Sequence, residues 1–133
     1  MWLSDYRIGQ RHLRFWLEWD CGTMNAQDLA IKFVSYGHYL ASREWVKECS
    51  RIPALMCVAP DIAQEKRMLR VAQARLATIR GFELWTATEV LLDERGPLAP
   101  IWLQGIPRRS HMSQTEGTRR QCLFDAMLGK RCM

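Results

Sequence analysis

A chain of 133 residues with 48% hydrophobic content holds enough apolar material for one core and leaves no room for a second domain of any size. No run of 18 or more apolar residues occurs, and Met1-Trp2-Leu3-Ser4-Asp5 has neither a basic nor an apolar leader region, so the expected location is the cytoplasm and a membrane role is set aside. The net charge of +5 is unevenly placed: residues 1–104 hold 13 Lys/Arg against 12 Asp/Glu, whereas 105–133 hold six against two. The expected organisation is therefore an α/β domain over 1–104 and a basic, largely flexible tail over 105–133 that the fold does not need. The five cysteines form no C-x-x-C pair and no zinc-finger spacing, which predicts free thiols.

From Leu13 to Asp20 apolar and polar residues alternate, with Leu13, Phe15, Leu17 and Trp19 on one face and Arg14, Trp16, Glu18 and Asp20 on the other. This is the period of a half-buried strand. Residues 2–8 supply an antiparallel partner across a turn near Gly9 and Gln10. After Cys21-Gly22-Thr23 the period changes: Asn25 with Asp28 reads as a helix cap, and Leu29, Phe33, Tyr36 and Leu40 form a helical apolar stripe.

Pro53 to Pro60 is a short apolar run between prolines, the pattern of a central parallel strand covered on both faces. Asp61 with Gln64 repeats the capping pattern, and Met68, Ala72, Leu76 and Ile79 predict a helix running to Gly81. Glu83–Thr86 reads as a strand, Thr88–Glu94 as a short helix stopped by Gly96-Pro97, and Ile101–Leu103 as an edge strand. Further on, Cys122–Leu128 carries enough apolar residues for a helical turn or two. Helices between strands make the expected fold α/β, a mixed sheet flanked by helices.

Glu18 and Asp20, two apart on one strand, project from the same face with Cα atoms roughly 6–7 Å apart. If the hairpin instead turns near Gln10 and Arg11, Asp5 falls opposite Trp16 and diagonal to Glu18. Three carboxylates then converge, and oxygen donors of this kind suit magnesium or manganese. Lys32 on the next helix, with Asp28 and Tyr36 a turn to either side, is placed to reach back toward them. A metal that acidifies water and a lysine that stabilises developing charge are what phosphodiester hydrolysis needs. Against this stands the ordinary reading of each residue: strand-end acids on a solvated face and a boundary lysine. The histidines His12, His38 and His111 share no spacing with a nucleophile. Lys66, Arg67, Arg70, Arg75 and Arg80 read as a solvated helix face in which Arg67 and Arg70 are candidates for phosphate contact.

The segment LSDYRIGQRHLRFWLEWDCGTMNAQDLAIKFVSYGHYL resembles the C-terminal domain of replication-relaxation proteins, a bacterial plasmid-associated family with a strand ending in E-x-D-x-G-T and a following helix bearing Lys and Tyr. The matching residues are Glu18, Asp20, Gly22, Thr23, Lys32 and Tyr36, and the likeness runs on through PALMCVAPD and ELWTATEVLL to PIWLQ, about residues 3–104. The resemblance implies a role in plasmid replication and in relaxing supercoiled DNA, on a restriction-endonuclease-like (PD-(D/E)XK-like) core. In that superfamily an acid on one strand precedes (D/E)-x-K on the next. Asp5 and Glu18 would be the two acids; the lysine position holds Asp20, and Lys32 would supply the ammonium from the helix.

Two readings follow from the likeness. One is a DNA-processing accessory domain of a mobile element, a metal-dependent endonuclease or nickase with Asp5, Glu18, Asp20, Lys32 and Tyr36 in its catalytic site and magnesium or manganese on the three acids. The other is a non-catalytic DNA-binding or assembly module. The family's cores open with elements that precede the first acidic strand, so a core truncated at its N-terminus is expected, with its sheet edge covered by another copy or by a separate DNA-binding chain.

Overall fold

Residues 2–8, 11–20, 22, 24–47, 52–76, 79, 81–107 and 119–122 are described by the computed structural model, with 2–6, 8 and 11–13 described through their backbone alone. The alternating segment forms β2 (Arg11–Trp19), paired antiparallel with β1 (Trp2–Ile8). The chain then runs through α1 (Ala26–Ser42), a 3₁₀ turn (Glu44–Lys47), β3 (Ala54–Ala59), α2 (Ile62–Leu76), β4 (Leu84–Thr88), α3 (Glu89–Arg95) and β5 (Leu103–Ile106). The five strands lie in the order β1-β2-β3-β4-β5. The inner pairs β2/β3 and β3/β4 are parallel, and the outer pairs are antiparallel. This is the mixed α/β sheet with flanking helices that the sequence predicts.

Each parallel pair is joined by a helix, and a sheet that grows in one direction through crossovers of the same hand receives both helices on one face. The packing follows that rule. Leu29, Phe33, Tyr36 and Leu40 of α1 and Met68, Ala72 and Leu76 of α2 meet Trp16, Leu55, Cys57, Ala59 and Leu84 of the sheet in one buried cluster. On the other face Ala54, Met56, Val58, Trp85 and Ala87 pack with Ile101 and Trp102, with Phe15, Leu17 and Trp19 of β2 only partly covered. All six residues of β3 are buried, as its uninterrupted apolar run requires of a strand covered on both faces.

Local signals set the helix ends. The Asp28 N–H donates to Asn25 Oδ1 (2.9 Å) and the Asn25 N–H to Asp28 Oδ2 (3.4 Å), a reciprocal cap that starts α1. Thr88 ends β4 and caps α3 by accepting from the Leu91 N–H, and Gly96, at φ +80°, terminates that helix.

Four expectations change. The described α2 ends at Leu76 rather than at Gly81, although Ile79 still packs against the core. The last strand is Leu103–Ile106, so Ile101 and Trp102 fill the core instead of opening a ladder. The 105–133 segment is described only at 105–107 and 119–122, and there it is docked: residues 105 and 106 finish β5, and Gln121 bridges antiparallel to Trp102. The helical turn predicted over Cys122–Leu128 lies outside the described residues beyond Cys122. Cys122 is disulfide-bonded, against the expectation of free thiols, while Cys57 is free and buried. Among the described residues no helix is long and apolar enough to cross a membrane.

Candidate functional site

Even-numbered positions of β2 face α1 and α2, so Glu18 and the residue just past the strand, Asp20, point into the helix-covered side of the sheet near the C-terminal ends of the parallel strands. The Asp20 N–H extends the ladder by donating to Val58 O at 2.9 Å. Its carboxylate is 0% exposed, and both oxygens have donors: Oδ1 accepts from the Gly22 N–H at 2.8 Å and Oδ2 from Gln64 Nε2 at 2.7 Å. Gln64 also donates to Met24 O at 3.1 Å. Its backbone N–H donates to Asp61 Oδ1 at 2.8 Å, which anchors the residue in the first turn of α2. Gly22 sits at φ +81°, where a side chain is strained, and that turn lets the Asp20 carboxylate fold back onto the next N–H but one. Asp20 thus ties the end of β2, the loop before α1 and the start of α2 to one another.

Glu18 is paired differently. Lys32, one turn into the buried stripe of α1, ion-pairs with Glu18 Oε1 while its own side chain remains 39% exposed. One turn further on, Tyr36 is 6% exposed and stacks edge-on against Trp16 at 5.4 Å between ring centroids. Its hydroxyl has no hydrogen-bond partner among the described residues. Burial, reinforced by any negative charge on Cys57, Tyr39 and Glu18, pushes this phenol far above the ordinary tyrosine range. It is held protonated and supplies no tyrosinate. Cys57 on β3 behaves alike: burial first, then the nearby Glu18 and Asp20, raise its thiol above the ordinary range, with Lys32 opposing.

Asp5 stands apart from this group. It pairs with Arg14 rather than with Trp16, because Ile8 pairs with Arg11. Moving the turn centre by one residue moves every cross-strand partner by two. Asp5 therefore lies four positions along β1 from the point opposite Glu18, about 13 Å at about 3.3 Å per residue. Glu18, Asp20, Lys32 and Tyr36 are neighbours; Asp5 is not one of them at the backbone, and its side chain is outside the described set. Asp28 is occupied by the cap of α1.

Tested against magnesium or manganese, the described donors do not fit. One carboxylate is buried with an N–H donor on each oxygen, the other holds an ammonium, and among the described residues no three His, Cys, Asp or Glu side chains are grouped to hold a metal.

A second polar centre lies outside what residue spacing predicts. Glu65, 1% exposed, lies in the buried stripe of α2 with Met68, Ala72 and Leu76. It accepts from Thr86 Oγ1 (3.0 Å) and from both arms of the Arg120 guanidinium, Nη1 to Oε2 at 3.1 Å and Nη2 to Oε1 at 2.5 Å. Arg120 Nη1 also donates to Ile101 O at 2.7 Å. A carboxylate placed in an otherwise apolar helical stripe is a signal that sequence offers, since such a group is buried only with a partner. The partner, 55 positions away, has no local signature. Comparison with protein-family models, with curated proteins and with solved structures finds no match for this chain.

Proposed function

We propose that the chain is a non-catalytic DNA-binding module, of the kind implied by its resemblance to replication-relaxation proteins and their restriction-endonuclease-like cores. The observation that carries the non-catalytic reading is the full burial of Asp20, with one oxygen bonded by Gly22 and the other by Gln64, beside a Glu18 ion-paired with Lys32. Chemistry at a phosphodiester needs carboxylates that can reach a cation or a water, and these two are spent on holding β2, α1 and α2 together. A DNA partner is supported by the net charge of +5. A second reading, metal-dependent phosphodiester cleavage, draws on the meeting of Glu18 with Lys32, and requires Lys32 to swing off Glu18 and Gln64 to release Asp20.

Supercoiled plasmid incubated with the protein and manganese at low salt separates the two. The expected result is retardation on a gel with no conversion to nicked circles. Manganese-dependent nicking that disappears in Glu18→Ala would overturn the non-catalytic reading.

A further inference from the structure

Helix α2 carries Lys66, Arg67, Arg70 and Arg75, all exposed. The helix contains one carboxylate, Glu65, and that group is buried beneath it and consumed by Arg120. None of the four cations makes an ion pair or a side-chain hydrogen bond among the described residues. Lys66 and Arg70 are four apart and Arg67 and Arg70 three apart, so like charges stack along one side of the helix, an arrangement that destabilises an isolated helix. Between α1 and α2 runs an open groove of about 800 Å³. Arg67, Arg70 and Arg75 wall it on one side, and the facing residues of α1 are Ala26, Gln27 and Ala30, small or neutral. No acid lines it.

From this surface we infer that the α1/α2 groove is where the protein holds double-stranded DNA, with Arg67, Arg70 and Arg75 each meeting a backbone phosphate. The inference rests on the DNA-binding reading above and gives it a location. Arg67 and Arg75 are eight residues apart, about 12 Å along the helix axis at about 1.5 Å per residue, a span that serves several phosphates and exceeds what one small anion uses. Guanidinium groups suit this role because their planar fork bonds two phosphate oxygens at once. Small residues on the opposite wall let a phosphate strand approach the helix backbone.

Fluorescence anisotropy of a labelled 20-base-pair duplex, titrated at several salt concentrations, tests it. The triple variant Arg67→Gln/Arg70→Gln/Arg75→Gln is compared with a charge-matched control, Arg43→Gln/Lys47→Gln/Arg95→Gln, which loses three cations elsewhere. The groove variant should bind on the order of 10²-fold more weakly at 0.1 M salt and show a salt slope shallower by about 2.7, roughly 0.9 for each lost phosphate contact. The control should bind within a few-fold of wild type. All substituted residues are exposed, so thermal unfolding should confirm that each variant folds. Wild type that binds while the groove variant binds equally well, or while the control loses as much, overturns the groove and leaves the DNA reading standing. Wild type that ignores the duplex at low salt, or that binds vesicles of anionic lipid instead, overturns both.

Discussion

Replacing Arg120 by alanine should cost about 3–5 kcal/mol of stability, the penalty for leaving a buried carboxylate without its cation. Glu65, at 1% exposure, would retain only Thr86 Oγ1 of its described partners, and Ile101 O would lose a donor as well. The sequence predicts the opposite for this region, since a basic segment beyond residue 104 reads as dispensable; cutting the chain before Arg120 should therefore destabilise it as the point substitution does. The double variant Glu65→Leu/Arg120→Met should recover part of the loss, because it leaves no buried charge uncompensated, only the Thr86 hydroxyl and the Ile101 carbonyl without these partners. Denaturant unfolding of the four proteins checks this. Loss below about 1 kcal/mol in Arg120→Ala would mean that the guanidinium does not engage Glu65 in solution.

Leu55→Ala should cost about 2–5 kcal/mol through lost transfer energy and the cavity left behind. Leu55 lies in the middle strand, aligned with Trp16 on β2 and Leu84 on β4, beneath both crossover helices. Neighbours on two strands and two helices cannot all relax into the vacated volume. A measured cost under about 1 kcal/mol would place β3 at an edge and contradict the sheet order.

The parts of the fold legible in the sequence are those set by local periodicity. The alternation at Leu13–Asp20, the apolar run between Pro53 and Pro60, the Asn25/Asp28 cap and the Gly96 stop each encode their element within a few residues, and each forms where expected. Hairpin register is not encoded that way. A turn one residue earlier keeps Asp5 on the same face of β1, so the pattern looks identical while the residue moves away from Glu18. The start of the last strand is hidden for a related reason: Ile101 and Trp102 are apolar because they fill the core. β5 begins two residues later, and Gly105 allows its close approach to α2. A Cβ at Gly105 would collide with Leu69 Cδ2 and lie 3.1 Å from Leu84 Cδ2.

The candidate site was legible as a neighbourhood and misleading as chemistry. Spacing alone brings Glu18, Asp20, Lys32 and Tyr36 to one side of the sheet. What decides their role is Gln64, which sequence identifies as a capping residue and which spends its amide on Asp20 from 44 positions away. Strand periodicity carries no information about that bond, because it depends on how α2 is set down beside the end of β2.

The stability of Asp20→Asn in metal-free buffer bears most directly on whether this centre is a structural clasp or a cluster of acids awaiting a cation. The substituted amide would aim a donor at either the Gly22 N–H or the Gln64 amide, both of which are donors. Flipping Gln64 gives no escape, since its oxygen would then face Met24 O. Denaturant unfolding in the presence of a chelator should therefore show a loss of about 1–3 kcal/mol, the cost of leaving a buried polar group unsatisfied. Stability equal to or above that of wild type would contradict the clasp, since it would mean that the negative charge of Asp20 is a burden the metal-free protein is better without.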